Sequence, residues 1–234
     1  MTHAQEPHGA NHGSALNSLR AGVLGANDGI VSVAALLLGM AGSHASDSAI
    51  LTGGIAATIA GAVSMALGEY VSVSAQRDSE KMLIAKEKQE LKEIPEEEHE
   101  ELVEILTGYG MTRETAHQAT REIESGDLLA AHLRLELGID GEDLTNPWAA
   151  AGWSAVSFLA GAALPMLAMV LAPSAAQAAV VAVTTIVALA ITGFVSAKLA
   201  DTAPIRATVR LVVGGALGLA VTYGIGAVFG GVVG

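Results

Sequence analysis

The chain is organised as long apolar stretches interrupted by one charged stretch. Five apolar segments follow one another at 21–42, 49–74, 148–172, 175–197 and 207–232, and the charged stretch separates the second from the third. Each segment reaches the roughly 20 residues that a helix needs to cross a bilayer. The pattern predicts an all-α membrane protein with five transmembrane helices and a helical insert between helices 2 and 3.

The second apolar segment continues into the charged stretch without a break. Neither Gly nor Pro occurs between Gly68 and Pro95, and the sequence SAQRDSEKMLIAKEKQELKE contains mostly good helix formers. We therefore expect one long helix that ends near Glu93, because proline interrupts helical hydrogen bonding. Thr112 and Asp127 are predicted N-caps of later helices. Those further helices are predicted at 96–107, 113–124 and 128–137.

Four regions are predicted from these boundaries. Residues 1–19 are polar and are expected to form a disordered tail whose histidines could also collect metal. Residues 20–75 hold transmembrane helices 1 and 2, and residues 147–234 hold helices 3 to 5. Residues 76–146 form an acidic domain.

The charges are concentrated in that acidic domain. The chain has a formal net charge of −12, and 19 acidic residues against 8 basic ones fall between Gln76 and Thr145. Such a surface attracts cations and repels nucleic acid. Cysteine is absent, which excludes disulfides and thiolate metal sites. Divalent cations are thus the expected partners of this domain, besides the lipid around the spans.

Basic residues predict the orientation in the membrane. With five spans, the N-terminus, the insert and the loop 198–206 share one side, and all 12 Lys and Arg residues fall there. Basic residues favour the cytoplasmic side. We therefore expect a multi-pass membrane protein with its N-terminus and insert in the cytoplasm. The membrane would be the plasma membrane in a bacterium or a vacuole-type membrane in a eukaryote.

Three residues of the first two spans could line an ion path. Asp28 is the only acid well inside the first span, where a carboxylate costs about 2.5–3.5 kcal/mol. It could instead be a structural partner of Asn27 or of a neighbouring hydroxyl. Met65 and Glu69 lie one helical turn apart near the end of the second span, offering a soft and a hard ligand. Met65 could equally be ordinary core filler.

Glutamates of the insert could bind a divalent cation. Carboxylates spaced i, i+3 share one helix face, and two such faces together offer many oxygen ligands. A solvated acidic face would show the same pattern. His132 and Glu136, at i, i+4, could add a nitrogen and an oxygen. Pairs with this i, i+3 spacing include Glu87/Glu90, Glu98/Glu101, Glu93/Glu96, Glu97/Glu100 and Glu101/Glu104.

Enzymatic chemistry finds little support in the sequence. Glu96-x-x-His99 is half of a di-iron carboxylate motif, but that chemistry needs two such motifs and two further glutamates. The chain has no phosphate loop, nucleotide fingerprint or nucleophile triad order. We therefore predict a protein that is not an enzyme and has no prosthetic group.

Several motifs resemble those of the vacuolar iron transporter family. These are GANDGIVSVAALLLGMAG in the first span, AGAVSMALGEYVSVSAQRDSE in the second, and ELGID followed by Asn146-Pro147. The chain resembles the branch that has the acidic insert and lacks a ferritin-like domain. The resemblance implies a five-helix subunit, a homodimer with the path between subunits, and a cytoplasmic metal-binding domain. It also implies export of ferrous iron from the cytoplasm in exchange for protons.

The resemblance also assigns site residues. Asp28 and Met65 correspond to the intramembrane path, with Glu69 beside them. His132 stands where the family typically has Met, and imidazole also suits other divalent ions. The candidate ions are therefore Fe²⁺ first, then Mn²⁺, Zn²⁺, Co²⁺ and Ni²⁺. The implied ligands of the insert are Glu87, Glu90, Glu98, Glu101 and Glu136, together with His132.

Two functions compete on this basis. The first is a metal transporter that exports Fe²⁺ by proton antiport after capture by the acidic domain. The second is a membrane-tethered metal buffer or sensor, in which the spans serve only as an anchor. An acid inside a span favours the transporter, since an anchor has no reason to bear its cost.

Overall fold

A computed structural model describes residues 12–140, 144–200 and 202–233, and this part of the chain is helical without any strand. The all-α prediction is confirmed. The first helix begins at His12, earlier than the predicted start at Ala21, while residues 1–11 of the predicted tail lie outside the described residues. The helices are α1 (His12–Gly42), α2 (Asp47–Glu93), α3 (Pro95–Gly108), α4 (Arg113–Glu124), α5 (Leu128–Leu135), α6 (Pro147–Leu171), α7 (Gln177–Leu199) and α8 (Pro204–Val233), with a 3₁₀ turn at Ser174–Ala176.

Five of these helices are long and apolar enough to span a membrane. They are α1 from Gly22, α2, α6, α7 with its preceding 3₁₀ turn, and α8. Their outward surfaces carry large aliphatic side chains at helical spacing, as at Ile55, Ile59 and Val63 of α2. Exposed apolar stripes of this kind suit contact with lipid. The prediction of five transmembrane helices is confirmed.

Helix α2 is 47 residues long and ends where the sequence predicts. Ile94 adopts φ −135° and ψ 49°, outside the helical region, because the following Pro95 disfavours a helical conformation at that position. Pro95 itself occupies the first turn of α3, where its missing N–H is not needed. The predicted end at Glu93 is confirmed.

The chain forms two compact units, and one of them comprises residues 15–71 with 147 onward. Glycines let its helices approach closely. A Cβ at Gly29 would lie 2.2 Å from the Phe158 carbonyl oxygen of α6, and one at Gly226 would lie 1.9 Å from that of Gly39. Helix α1 is therefore held against both α6 and α8. Phe158 is 2% exposed and belongs to the main core cluster of this unit.

The other unit includes residues 72–146 and holds the acidic domain. Helices α3 and α4 pack through the buried residues Val103, Leu106 and Ala116. The predicted N-caps are confirmed: the Thr112 side chain accepts from the Thr115 amide, and Asp127 Oδ1 accepts from the Ala130 amide at 3.0 Å. Helix α5 ends at Leu135, two residues before the predicted Leu137.

Candidate metal centre

Three helices of the acidic domain bring four ligand side chains together. Glu87 lies on α2, Glu98 on α3, His132 on α5, and Glu136 directly after α5. One ligand atom from each lies within 4.8 Å of the other three. His132 Nδ1 is 2.9 Å from Glu87 Oε1, 3.5 Å from Glu98 Oε2 and 3.6 Å from Glu136 Oε2. One nitrogen and three carboxylates form a donor set suited to a borderline or hard divalent cation.

The short helix α5 is stabilised by interactions at its two ends. Eight residues are too few for a stable isolated helix. Asp127 caps the start, and Gly138, with φ +65°, turns the chain after the end. The Ile139 amide then donates to the Leu133 carbonyl at 2.7 Å, and the Glu136 amide donates to the His132 carbonyl at 2.9 Å. These bonds keep His132 and Glu136 on one side of the helix.

The ligand atoms of this cluster are buried and lack hydrogen bonds. His132 is 0% exposed, Glu87 3% and Glu98 4%. Within the described residues, no hydrogen-bond partner is found for Glu87 Oε1, Glu98 Oε2, Glu136 Oε2 or either ring nitrogen of His132. Buried polar atoms left unpaired cost roughly 1–3 kcal/mol each. A coordinated cation would satisfy the three carboxylate oxygens and the Nδ1 of His132 at once.

Burial and mutual repulsion raise the pKa values of Glu87 and Glu98. Burial, and then the charges of Glu136 and Glu98, raise the pKa of Glu87 to about 7. Burial also raises the pKa of Glu98, with Glu101 as the next contributor. In each case the protein disfavours the ionised form that a metal requires. Without metal the cluster is therefore electrostatically strained, and cation binding relieves the strain.

Glu90 and Glu101 lie outside the four-residue cluster. Glu90 accepts from Lys86 Nζ at 2.8 Å in an ion pair on the surface of α2. Glu101 is exposed. Both charges nonetheless raise the pKa of Glu98, so they act on the cluster electrostatically. The other carboxylates with E-x-x-E spacing do not belong to this cluster: Glu93, Glu96, Glu97, Glu100 and Glu104.

Asp28 lies on an exposed face of the membrane unit. The Asn27 side chain accepts a hydrogen bond from Thr192 Oγ1 at 2.7 Å, so its partner is on α7. Ser32 Oγ donates to the backbone carbonyl of Asp28. Within the described residues, the Asp28 carboxylate makes no hydrogen bond or ion pair. Among the described residues, the Asp28 carboxylate therefore has neither Asn27 nor a hydroxyl as a side-chain partner.

Met65 and Glu69 occupy half-buried positions of the same unit. Met65 packs against the main core cluster, which agrees with the core-filler interpretation of this residue. Like Asp28, Glu69 makes no hydrogen bond or ion pair within the part of the chain that the structure describes. The three residues therefore do not form a completed site within one chain.

A second group of ligand-type side chains was not anticipated from the sequence. It consists of His99 and Glu100 on α3 and His117 on α4. The sequence does contain an indication of this group. His99 lies nine residues before Gly108, where α3 ends, and His117 lies nine residues after it. Helices joined by a short connection are usually antiparallel neighbours, which brings such equidistant positions together.

Known proteins resemble this chain over most of its length. The model of the VIT family matches residues 19–227. A vacuolar iron transporter of Acanthamoeba castellanii is 40% identical over 223 residues, covering 93% of this chain and 82% of that protein. Vacuolar iron transporter homolog 1 of Oryza sativa subsp. japonica is 36% identical, covering 95% and 78%. Vacuolar iron transporter 1 of Arabidopsis thaliana is 30% identical, covering 92% and 88%. The chain therefore belongs to the VIT family.

Proposed function

We propose that this protein exports ferrous iron from the cytoplasm by proton antiport, after its acidic domain has captured the metal. The observation that carries the proposal is the buried cluster of Glu87, Glu98, His132 and Glu136, whose donor atoms lack other partners. Glu87 belongs to α2, the same helix that supplies a candidate membrane span. Transport of iron by relatives, as their names state, agrees with this assignment.

The exposed Asp28 supports a path formed by two copies of the chain. A carboxylate facing lipid would cost about 2.5–3.5 kcal/mol at the centre of a helix. A homodimer that covers this face would replace lipid by protein and water. Leu24, Asp28 and Ser32 form an exposed stripe on α1, at a spacing of four residues. In this proposal the stripe lines the path between subunits, with Met65 and Glu69 near it.

Proton coupling follows from the chemistry of one carboxylate. Its oxygens can hold either a proton or a metal ion, and not both at full strength. Such a site releases a proton when it binds iron and takes up a proton when it releases iron on the other side of the membrane. It therefore exchanges iron for protons. Met65 would add a soft contact that favours partial removal of water from Fe²⁺.

The orientation proposal has a direct test. Single cysteines at Ser46, between α1 and α2, and Ser125, after α4, can be introduced into this cysteine-free chain. An impermeant thiol reagent should label Ser125→Cys from the cytoplasmic side and Ser46→Cys from the opposite side. Labelling of both from one side would contradict the five-span orientation.

Transport itself is tested in proteoliposomes. Full-length protein is reconstituted with a metal-sensitive dye in the lumen, and Fe²⁺ is added with or without an opposing pH gradient. A transporter accumulates Fe²⁺ far beyond one ion per binding site and responds to the gradient. Uptake that stops at the stoichiometry of binding would instead establish a membrane-tethered buffer. Competition by Mn²⁺, Zn²⁺, Co²⁺ and Ni²⁺ in the same assay ranks the candidate ions.

A further inference from the structure

The second group of ligand-type side chains lies where α3 and α4 pack together. His99 and His117 present ring nitrogens to each other, with His99 Nε2 only 3.2 Å from His117 Nδ1. Their ring planes are 23° from parallel. Glu100 Oε1 is 3.7 Å from His117 Nε2. One ligand atom from each of these three residues lies within 4.8 Å of the others.

Neighbouring charges fix the orientation of this group. Glu124 Oε1 accepts from His99 Nδ1 at 2.7 Å, so the lone pair of His99 is on Nε2, the nitrogen that faces His117. Carboxylates commonly hold metal-binding imidazoles in this way. Arg113 donates to Glu100 Oε2, which leaves Glu100 Oε1 on the side of His117. His117 faces His99 through Nδ1 and Glu100 through Nε2, and one ligand atom of each of the three residues lies within 4.8 Å of the others.

A shared proton would satisfy only part of this arrangement. It could join the two rings, since 3.2 Å is within hydrogen-bond range. Glu100 Oε1 lies 3.7 Å from the other nitrogen of His117, Nε2, and would have no share in that proton. A metal ion could bind one atom of each residue, since such atoms lie within 4.8 Å of one another. Two nitrogens bound at about 2.0–2.1 Å in tetrahedral geometry are roughly 3.3 Å apart, close to the separation observed.

We propose that His99, His117 and Glu100 form a second transition-metal site, separate from the cluster around His132. Two imidazoles and one carboxylate suit borderline divalent ions such as Zn²⁺, Cu²⁺ and Ni²⁺. The site is open to solvent, with 21% of the His99 side chain and 30% of the His117 side chain exposed. Water can complete the coordination. Rotation of the His117 ring about its soft outer torsion would aim its lone pair at the ion.

Occupation of this site would link α3 to α4. Glu98 of the first cluster directly precedes His99 in the chain, so both sites depend on the placement of α3. The site is assigned from the geometry of the acidic domain alone. It does not rest on the proposed transport function, and binding measurements can test it separately.

The test counts zinc bound to the full-length protein in detergent. The chain is prepared without a histidine tag and with His3, His8 and His12 replaced by Gln, so that the tail cannot contribute. Zn²⁺ bound at equilibrium is measured for this parent and for His117→Gln. The matched control is His44→Asn, which removes an exposed histidine outside both clusters and tolerates the positive φ of 61° at that position. A Glu87→Gln/Glu98→Gln variant disables the first cluster.

Loss of one Zn²⁺ in His117→Gln, with no loss in His44→Asn, supports the site. The Glu87→Gln/Glu98→Gln variant should retain that ion. Loaded with one equivalent of Cu²⁺, it should show coupling to two nitrogens by electron paramagnetic resonance. An unchanged zinc count in His117→Gln, or a copper signal without paired nitrogens, would mean that the rings share a proton only.

If His117→Gln does not fold, Glu124→Gln replaces it and should weaken zinc binding about 10–100-fold. Unchanged affinity would then overturn the site.

Discussion

The acidic domain and the membrane unit use carboxylates in opposite ways. In the acidic domain, Glu87, Glu98 and Glu136 meet His132 within 4.8 Å, and one chain supplies the whole cluster. In the membrane unit, Asp28 is exposed and has no side-chain partner among the described residues. In our proposal, one chain is therefore enough to capture the metal. Movement through the membrane, in our proposal, needs a second copy to enclose Asp28.

The largest effect is expected from replacing Asp28, which should affect transport by the membrane unit and leave metal binding by the acidic domain unchanged. Asp28→Asn keeps the size of the side chain but removes the charge and the exchangeable proton. We expect Fe²⁺ transport in proteoliposomes to fall to the level of protein-free liposomes, while metal binding by the acidic domain stays unchanged. Asp47→Asn is the matched control, because Asp47 is also exposed but lies at the start of α2, where it accepts from Ser174 Oγ. Transport by Asp28→Asn at the wild-type rate and pH dependence would make Asp28 structural.

The second prediction compares two pairs of glutamates in the acidic domain. Glu87→Gln/Glu98→Gln and Glu90→Gln/Glu101→Gln each remove two charges, but only the first pair belongs to the buried cluster. We expect metal affinity to fall more than about 100-fold for the first pair and about tenfold for the second. Calorimetric titration measures both. Equal losses would mean that the acidic surface acts only through its total charge.

The third prediction concerns pH and follows from Glu87. Its pKa is raised to about 7 by burial and by Glu136 and Glu98, and a metal requires the ionised carboxylate. Affinity should be constant above pH 8 and should fall by up to about tenfold per pH unit below 7. Calorimetry in buffers of different ionisation enthalpy would report about one proton released per ion near pH 6.

Stability of the metal-free domain should change with pH in the opposite sense. Because the folded state raises the pKa of Glu87, ionisation of this group destabilises the metal-free fold as pH rises from about 4.5 to 7. Glu87→Gln removes that cost, so it should slow hydrogen exchange around α2, α3 and α5 at pH 8 and have little effect at pH 4. An identical effect at both values would assign the change to packing rather than to charge.

The smallest expected effect concerns metal preference. His132→Met replaces a fully buried imidazole by a thioether, the ligand that the resemblance to the family implies at this position. Zinc affinity should fall more than ferrous iron affinity, since imidazole is the stronger ligand for zinc. Competitive titration with Zn²⁺ and Fe²⁺ under reducing conditions measures the ratio. A ratio that does not change would remove His132 from the determinants of selectivity.

The sequence by itself determined the number of spans and several helix ends. Apolar length predicted five spans, Pro95 predicted the end of α2, and the hydroxyl of Thr112 and the carboxylate of Asp127 predicted two helix starts. These features act within a few residues, through backbone hydrogen bonds and the need to satisfy them. The resemblance to a family added the expected ligand set, because spacing alone left several E-x-x-E pairs equivalent.

Tertiary structure decided which of many similar residues meet. Gly226 and Gly218 have the same local sequence character, yet a Cβ at Gly226 would collide with α1, while none of the described atoms lies within 4 Å of one at Gly218. Likewise, His99 contacts His117 only because α3 and α4 pack as neighbours. Such contacts depend on how separate helices pack, and neither periodicity nor composition along one helix specifies that. The chain sequence thus determined the five spans, the end of α2 and two helix starts, and packing determined which side chains share a site.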